Sequence, residues 1–380
     1  MKQNCWTVRE GGSFLISPDP ISDLRVVDSG LADNTVHEIE EIANKLPALI
    51  REGKTRDVLL DIKQHDLSIL SQDFDGRMLE RAFQIYAHFA NAYVWCENDN
   101  PTDHIPASVA VPLVYLCGLV GRPPILSYAS TCLANYKRID PEGDIVVDNI
   151  TTIQKMIDIP DEIWFHKIHM EIENHAGRAI NACIEATAMI ANNDAIATEK
   201  ALLKVPPVFE SLSATFRRMF ENCSPDTYYH TLRPYLFGFT DIVYQGVDAY
   251  GDKPMTFSGQ SGAQSTVIPA FKAFLGIEHE KGGLTKHLEI MKGGMPIAHR
   301  ELLSDIDTGL IRQFVMKQQS GALTDAYNAS LESLLNFRTL HLKMASAYIA
   351  KKVENPIGTG GTDFMLWLTK LRDETAAQYI

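Results

Sequence analysis

The sequence predicts a mainly α protein, and three observations carry that reading. Long stretches keep apolar residues at a 3.6-residue period, the signature of helices with one inward face. Ile159-Pro160-Asp161-Glu162 sets proline in a first turn and acids at the positive end of a helix dipole, opening a helix that runs to about Asn192-Asn193-Asp194. Strand signals are few and short. We expect a smaller, mostly helical N-terminal unit over 1–150 and a larger helical unit over 151–380.

In chain order, residues 1–30 carry turn formers (Gly11-Gly12, Ser17-Pro18, Asp19-Pro20) and read as an irregular lead-in. Periodicity predicts helices over 36–51, 76–96 and 107–119, the last stopped by Gly121-Arg-Pro-Pro124. Residues 97–103 are a loop by composition. An apolar segment with small polar residues, Ile125 to Tyr136, precedes a charged loop at 140–144, where the two units meet. Further helices are expected over 197–222, 225–238, 264–276, 298–318 and 323–352, and again after Asp363. No repeat and no low-complexity segment interrupts the pattern.

The 380 residues supply ample material for a large core. A net charge of −13 argues against a nucleic-acid surface or an anionic membrane as partner. Six scattered cysteines form no close pair and read as reduced thiols, and the absence of Cys-x-x-Cys-His excludes a thioether-linked haem. The first residues lack a signal peptide's apolar core, so a cytoplasmic protein is expected.

The stretch Leu331 to Ile349 places Leu334, Arg338, His341, Ala345 and Tyr348 on one inward helix face. Ala345, Ser346 and Ala347 leave the surface beside the imidazole flat. Arg338, one turn earlier, presents a forked cation suited to carboxylates. A flat ligand with acidic arms, such as haem with its propionates, satisfies both features. A core histidine bonded to a carbonyl, with an arginine at the helix edge, satisfies them as well.

Other constellations were weighed in the same way. His166 and His169 share one helix, but neither Glu-x-x-His nor His-Glu-x-x-His occurs, so a non-haem metal site has little support. Gly259-Gln-Ser-Gly-Ala263 is one residue short of a nucleophile elbow and follows a poor strand; a tight turn lying against a flat ligand is the plainer reading. Gly358-Thr-Gly-Gly-Thr-Asp363 precedes a helical pattern and suits either an anion-binding loop or a surface loop. Arg233 sits among apolar and aromatic neighbours and calls for an anionic partner.

Several segments together resemble the indoleamine 2,3-dioxygenase family and its tryptophan 2,3-dioxygenase relatives, in the family's order from about residue 80 onward. They include Ala92-Tyr-Val-Trp95, Val109-Ala-Val-Pro112, Pro123-Pro-Ile-Leu126, Leu133-Ala-Asn135, Gln264-Ser265, Ala298-His-Arg300, Arg338-x-x-His341-Leu and Gly358 to Asp363. The resemblance implies a haem-dependent dioxygenase with non-covalent haem b and O2 as co-substrate, acting on L-tryptophan or a related indoleamine. It implies His341 as the iron ligand and Arg338 at a propionate, with Gly262, Ala263 and Ala345 against the macrocycle. Tyr128, Phe165, Tyr228, Gly259 and Ser261 would line the substrate site. Arg233 would bind the substrate carboxylate, and Thr359, Gly360 and Thr362 would close over the amino acid. His169 would be the catalytic histidine; it stands where animal indoleamine dioxygenases usually carry serine and looks like the tryptophan dioxygenases. Lys272, Tyr228 and Phe237 also depart from the animal pattern, which carries an acid at the first of these positions. A monomer is expected. Oxidation of a modified indole in secondary metabolism and a haem-binding sensor without turnover are the alternatives.

Overall fold

The computed structural model describes residues 13–28, 30–73, 75–97, 100–352 and 364–380. The helices of seven residues or more are α1 (Asp33–Arg51), α2 (Thr55–Asp61), α3 (Arg77–Trp95), α4 (Ala107–Val120), α5 (Pro160–Ala191), α6 (Ala195–Leu202) and α7 (Val205–Arg217). They continue as α8 (Val267–Phe274), α9 (Gly283–Lys292), α10 (Ile297–Asp305), α11 (Leu310–Gln318), α12 (Gly321–Tyr348) and α13 (Phe364–Ala376). The fold is mainly α, as the periodicity requires.

Two long helices organise the second half. The buried Glu162 fixes the entry to α5: its carboxylate accepts from the backbone N–H groups of Met156, Ile157 and Asp158 at 2.6, 3.0 and 2.8 Å. Asp158 is thereby held at φ 54, a left-handed conformation uncommon outside glycine. α12 starts at Ser320, whose hydroxyl accepts from the Leu323 N–H. Both helices pack against α7 and α6, and α12 also against α13.

In the first half, α3 is buried on every face from Leu79 to Val94. A helix buried all round must pair its polar groups. Arg81 therefore meets Glu40 of α1 at 2.7 Å and donates to the side-chain oxygens of Gln84 and Gln154. Gln84 in turn donates to the Ser130 carbonyl at 2.9 Å. This buried network props the segment Ile125 to Tyr136. The largest core cluster runs from Phe14 to Tyr348 and takes residues from both sides of residue 150.

Several expected boundaries shift for identifiable reasons. The stretch 197–222 is three helices, α6, α7 and a short turn at Met219–Asn222, with Pro206-Pro207 opening α7. Residues 225–238 form successive tight turns instead of one helix, since Pro234 removes a backbone donor. The stretch 298–318 breaks at Gly309, which adopts φ 83 and approaches Gly276 so closely that a Cβ on Gly276 would lie 2.7 Å from the Gly309 Cα. Expected helix 323–352 is α12, closing at Tyr348.

Two small sheets were not anticipated. β1 (His104–Ile105) pairs parallel with β4 (Phe239–Tyr244), which pairs antiparallel with β5 (Pro254–Phe257); β2 (Tyr136–Arg138) pairs antiparallel with β3 (Ile150–Thr152). Among the described residues no helix is long and apolar enough to cross a membrane.

Candidate active site

A cavity of about 500 Å³, within the range of small-molecule and cofactor sites, opens between α5, α8, α9, α12 and the loop that follows β5. α12 contributes Phe337, Arg338, His341, Met344, Ala345 and Tyr348, at steps of one helical turn. α5 contributes Phe165 and His169, one turn apart.

The His341 imidazole lies within the protein, yet part of its surface faces the cavity. Burial, with the neighbouring His169 and the Arg338 charge, lowers its pKa to about 4, so the ring is neutral at physiological pH. Neither ring nitrogen has a hydrogen-bond partner among the described residues. The core-histidine alternative, which needs a carbonyl acceptor, is not what these residues provide.

His169 is different. Its Nδ1 lies 2.8 Å from the Phe165 carbonyl, so that nitrogen carries the proton. Burial lowers the pKa of this ring too. The neutral tautomer leaves Nε2 with a lone pair, an acceptor for an N–H donor.

Aromatic rings surround this imidazole: Phe165 at 4.5 Å between centroids, Tyr128 at 5.9 Å and Phe216 at 6.3 Å. Tyr228 lies 4.9 Å from Phe165 and 5.6 Å from Tyr348. Phe216 of α7 also approaches His341, at 6.0 Å, so one ring neighbours both histidines. His166, the other histidine of the α5 pair, is buried away from the cavity lining, and burial lowers its pKa to about 3.

The loop after β5 forms another wall. The Ser261 hydroxyl caps a short turn by accepting from the Ala263 N–H at 3.2 Å. Gln264 ties this wall to the Tyr128 segment: its side-chain oxygen accepts from the Tyr128 N–H at 2.8 Å. Gly262 and Ala263 line the cavity, and a Cβ on Gly262 would meet no heavy atom within 4 Å. Gly259 is required for another reason: a Cβ there would lie 2.3 Å from the Leu236 carbonyl. It stands behind the wall, not in it.

Behind Tyr128 sits a buried acid. The Tyr128 hydroxyl donates to Glu173 at 2.9 Å. Burial pushes the Glu173 carboxyl up to about 7 against the opposing effect of the Ser265 and Tyr128 hydroxyls.

At the cavity rim positive charge is in excess: Arg338, Lys272 and Lys292 face Glu289, while burial and the Arg338 charge lower the His279 pKa to about 4 and leave that ring neutral. Arg338 is buried, donates to the Leu371 carbonyl and Thr375 hydroxyl of α13 at 2.5 and 2.6 Å, and has an Nε with no acceptor among the described residues. Burial lowers its pKa to about 10, which still leaves it charged. Lys272, Lys292 and His279 line the same rim.

Of the expected site residues, the structure gathers Tyr128, Phe165, His169, Tyr228, Ser261, Gly262, Ala263, Arg338, His341 and Ala345 at one cavity. Arg233 is buried outside the cavity lining, with its guanidinium 5.0 Å from the Tyr229 and Phe237 rings. Thr359, Gly360 and Thr362 lie outside the described residues. Sequence reasoning missed Phe216, Phe337, Met344 and the scaffolding role of Gln264. Phe337 stands four residues before His341 and Met344 three after it, and that spacing could have found them; nothing in the sequence links Phe216 to this face.

These residues fit a haem. The His341 imidazole, partnerless among the described residues, is a ligand in the right protonation state, Gly262 leaves room for a flat group, and the Arg338 Nε, unsatisfied among the same residues, calls for an acceptor. Among the described residues no three His, Cys, Asp or Glu side chains converge as a metal site, so a metal on His341 needs ligands such as a porphyrin brings.

A mainly helical chain with one imidazole available to a metal, a second neutral imidazole among aromatic rings and an excess of positive charge at the rim has the features of a haem-binding pocket. The sequence matches the family model described as Indoleamine 2,3-dioxygenase over residues 4–378. It is 32% identical to indoleamine 2,3-dioxygenase 1 of Rattus norvegicus over 361 residues, covering 88% of this chain and 87% of that one. It is 30% identical to the indoleamine 2,3-dioxygenase of Saccharomyces cerevisiae over 427 residues, covering 96% and 92%. A protein named myoglobin from Haliotis madaka is 27% identical over 358 residues, covering 88% and 89%. The chain belongs to the indoleamine 2,3-dioxygenase family, and is a haem-dependent oxidoreductase of the dioxygenase type.

Proposed function

We propose that this enzyme opens the indole C2=C3 bond of L-tryptophan or a closely related indoleamine, placing both atoms of O2 in an N-formylkynurenine-type product. The observation that carries this reading is the pairing of two neutral histidines at one cavity: His341, with no hydrogen-bond partner for either nitrogen among the described residues, and His169 with Nε2 left as acceptor.

His341 would hold the iron, Arg338 a propionate, and Gly262, Ala263 and Ala345 would lie along the macrocycle. When bound, haem supplies the redox chemistry by which triplet O2 reacts with a closed-shell indole. The chain's own residues bind and orient. Phe165, Tyr128 and Tyr228 give an aromatic slot for the ring, and Ser261 adds a hydroxyl on the adjoining wall. His169 Nε2 accepts the indole N–H and so fixes which edge of the ring is presented. Glu173, its carboxyl pushed up to about 7 by burial, keeps the Tyr128 wall from carrying a full negative charge near pH 7.

The test is product analysis with isotopically heavy O2 and L-tryptophan. Two heavy atoms in a formylkynurenine product support the reading; one heavy atom, or turnover only of a modified indole, overturns it. A second reading, oxygen or haem carriage without turnover, is favoured by one observation, the relative named myoglobin. A stable haem complex that yields no product from any indole would establish it.

A further inference from the structure

The cavity rim holds more positive charge than its own residues neutralise. Arg338 has no carboxylate within 4.0 Å among the described residues; its partners are the Leu371 carbonyl, the Thr375 hydroxyl and the His279 ring at 3.4 Å. Lys272, half-buried on α8, lines the same cavity and makes no ion pair among the described residues. Two acids stand near the rim, and neither forms an ion pair with Arg338 or Lys272 among the described residues: Glu289 pairs with Lys292 at 2.8 Å, and Glu374 bonds to the neutral His279 ring at 2.6 Å, so three cations face two carboxylates. Two cations from two helices therefore share a partly desolvated rim, and this costs free energy unless an anion lies between or beside them. The strain is visible on Lys272, whose pKa is lowered by burial and then by the charges of Arg338 and Lys292.

One carboxylate on Arg338 leaves Lys272 unanswered. We infer that Lys272 is a second anion anchor of this cavity, pairing with the other carboxylate of a flat, two-armed acid whose first carboxylate meets Arg338. With the haem reading above, on which this rests, the two arms are the two propionates, one to each cation. A flexible ammonium at the half-open rim suits the more solvent-exposed arm, and the fixed guanidinium suits the buried one.

The experiment is haem transfer from the holoprotein to an excess of an apo-globin acceptor, followed by absorbance. It compares the wild-type chain with Lys272→Met, which keeps the stem and removes the charge, and Lys272→Arg, which restores it. Each is loaded with haem and, separately, with haem dimethyl ester, which has no carboxylate to pair. Haem should leave Lys272→Met roughly tenfold faster than wild type, the usual loss for one charge-assisted contact. Lys272→Arg should recover most of this, and the dimethyl ester should leave wild type and Lys272→Met at the same rate. Equal haem loss from wild type and Lys272→Met would overturn the inference while leaving haem on His341. So would a loss that is equally accelerated with the dimethyl ester, which would make Lys272 a packing residue. If Lys272→Met fails to fold, Lys272→Gln takes its place with the same expected and refuting outcomes. Failure of the wild type to take up haem at all would refute the cofactor reading itself.

Discussion

Replacing Glu173 by glutamine should make the haem-free protein more stable at alkaline pH, and the size of the effect follows from the carboxyl's surroundings. Its pKa is raised from 4.5 to about 7, chiefly by burial. Between those values the unfolded chain releases the proton and the folded chain keeps it, so the unfolded state binds fewer protons and stability falls as pH rises. The carboxyl's contribution is intact below pH 4.5 and lost as pH passes through about 7. At 1.36 kcal/mol per pKa unit the loss amounts to about 3 kcal/mol. Glutamine has no proton to lose and keeps an oxygen to accept the Tyr128 hydroxyl, now at 2.9 Å. Urea denaturation of both proteins across this pH range measures the difference. The variant's advantage should grow by about 3 kcal/mol from acid to alkaline pH. A difference that stays constant with pH would refute the reasoning, because it would mean that Glu173 ionises as readily folded as unfolded.

Other substitutions separate the roles assigned above. His169→Phe should keep the haem spectrum and lower kcat/KM by roughly tenfold or more through loss of the N–H acceptor, read by steady-state kinetics with L-tryptophan. Methylating the indole nitrogen of the substrate should lower wild-type kcat/KM and leave the variant's little changed. Gly262→Val should leave urea stability within about 0.5 kcal/mol, since the added atoms meet no protein near Cβ, but should weaken haem uptake in a titration. Glu40→Ala should cost about 3–5 kcal/mol in the same denaturation assay. It strips Arg81 of its 2.7 Å partner and leaves the Leu24 N–H without its 2.8 Å acceptor.

The sequence revealed the helices that carry their own pattern. α5 and α12 each have a start signal and a long single-faced period, so the neighbourhood of His169 and the shared face of Arg338 and His341 could be read directly. What could not be read depends on contacts between distant segments. Gln264 bonding to the Tyr128 backbone spans 136 residues, and no local rule pairs them. Phe216 belongs to the α7 stripe, and only the packing of α7 between α5 and α12 turns it toward two histidines. The short strands were hidden for a similar reason: β1 has two residues and finds its partner in β4 from the other half of the chain. Arg233 was read as lying among aromatic neighbours, and two of those rings do lie close to its guanidinium; its place outside the cavity lining is set by the tight turns at 228–236, which no local pattern shows. Lys272 was noticed as a departure from a family pattern; that the rim's acids bond to other residues and not to it depends on packing that the sequence does not display.

The central claim is that this cavity holds haem through His341, and the absorption spectrum of the haem-reconstituted, anaerobically reduced protein tests it most directly. The wild-type chain should give a Soret band of haem bound to one neutral imidazole. His341→Ala should lose the haem or shift the band, and free imidazole added to the variant should restore it. A variant that binds haem with the wild-type spectrum and affinity would contradict the account.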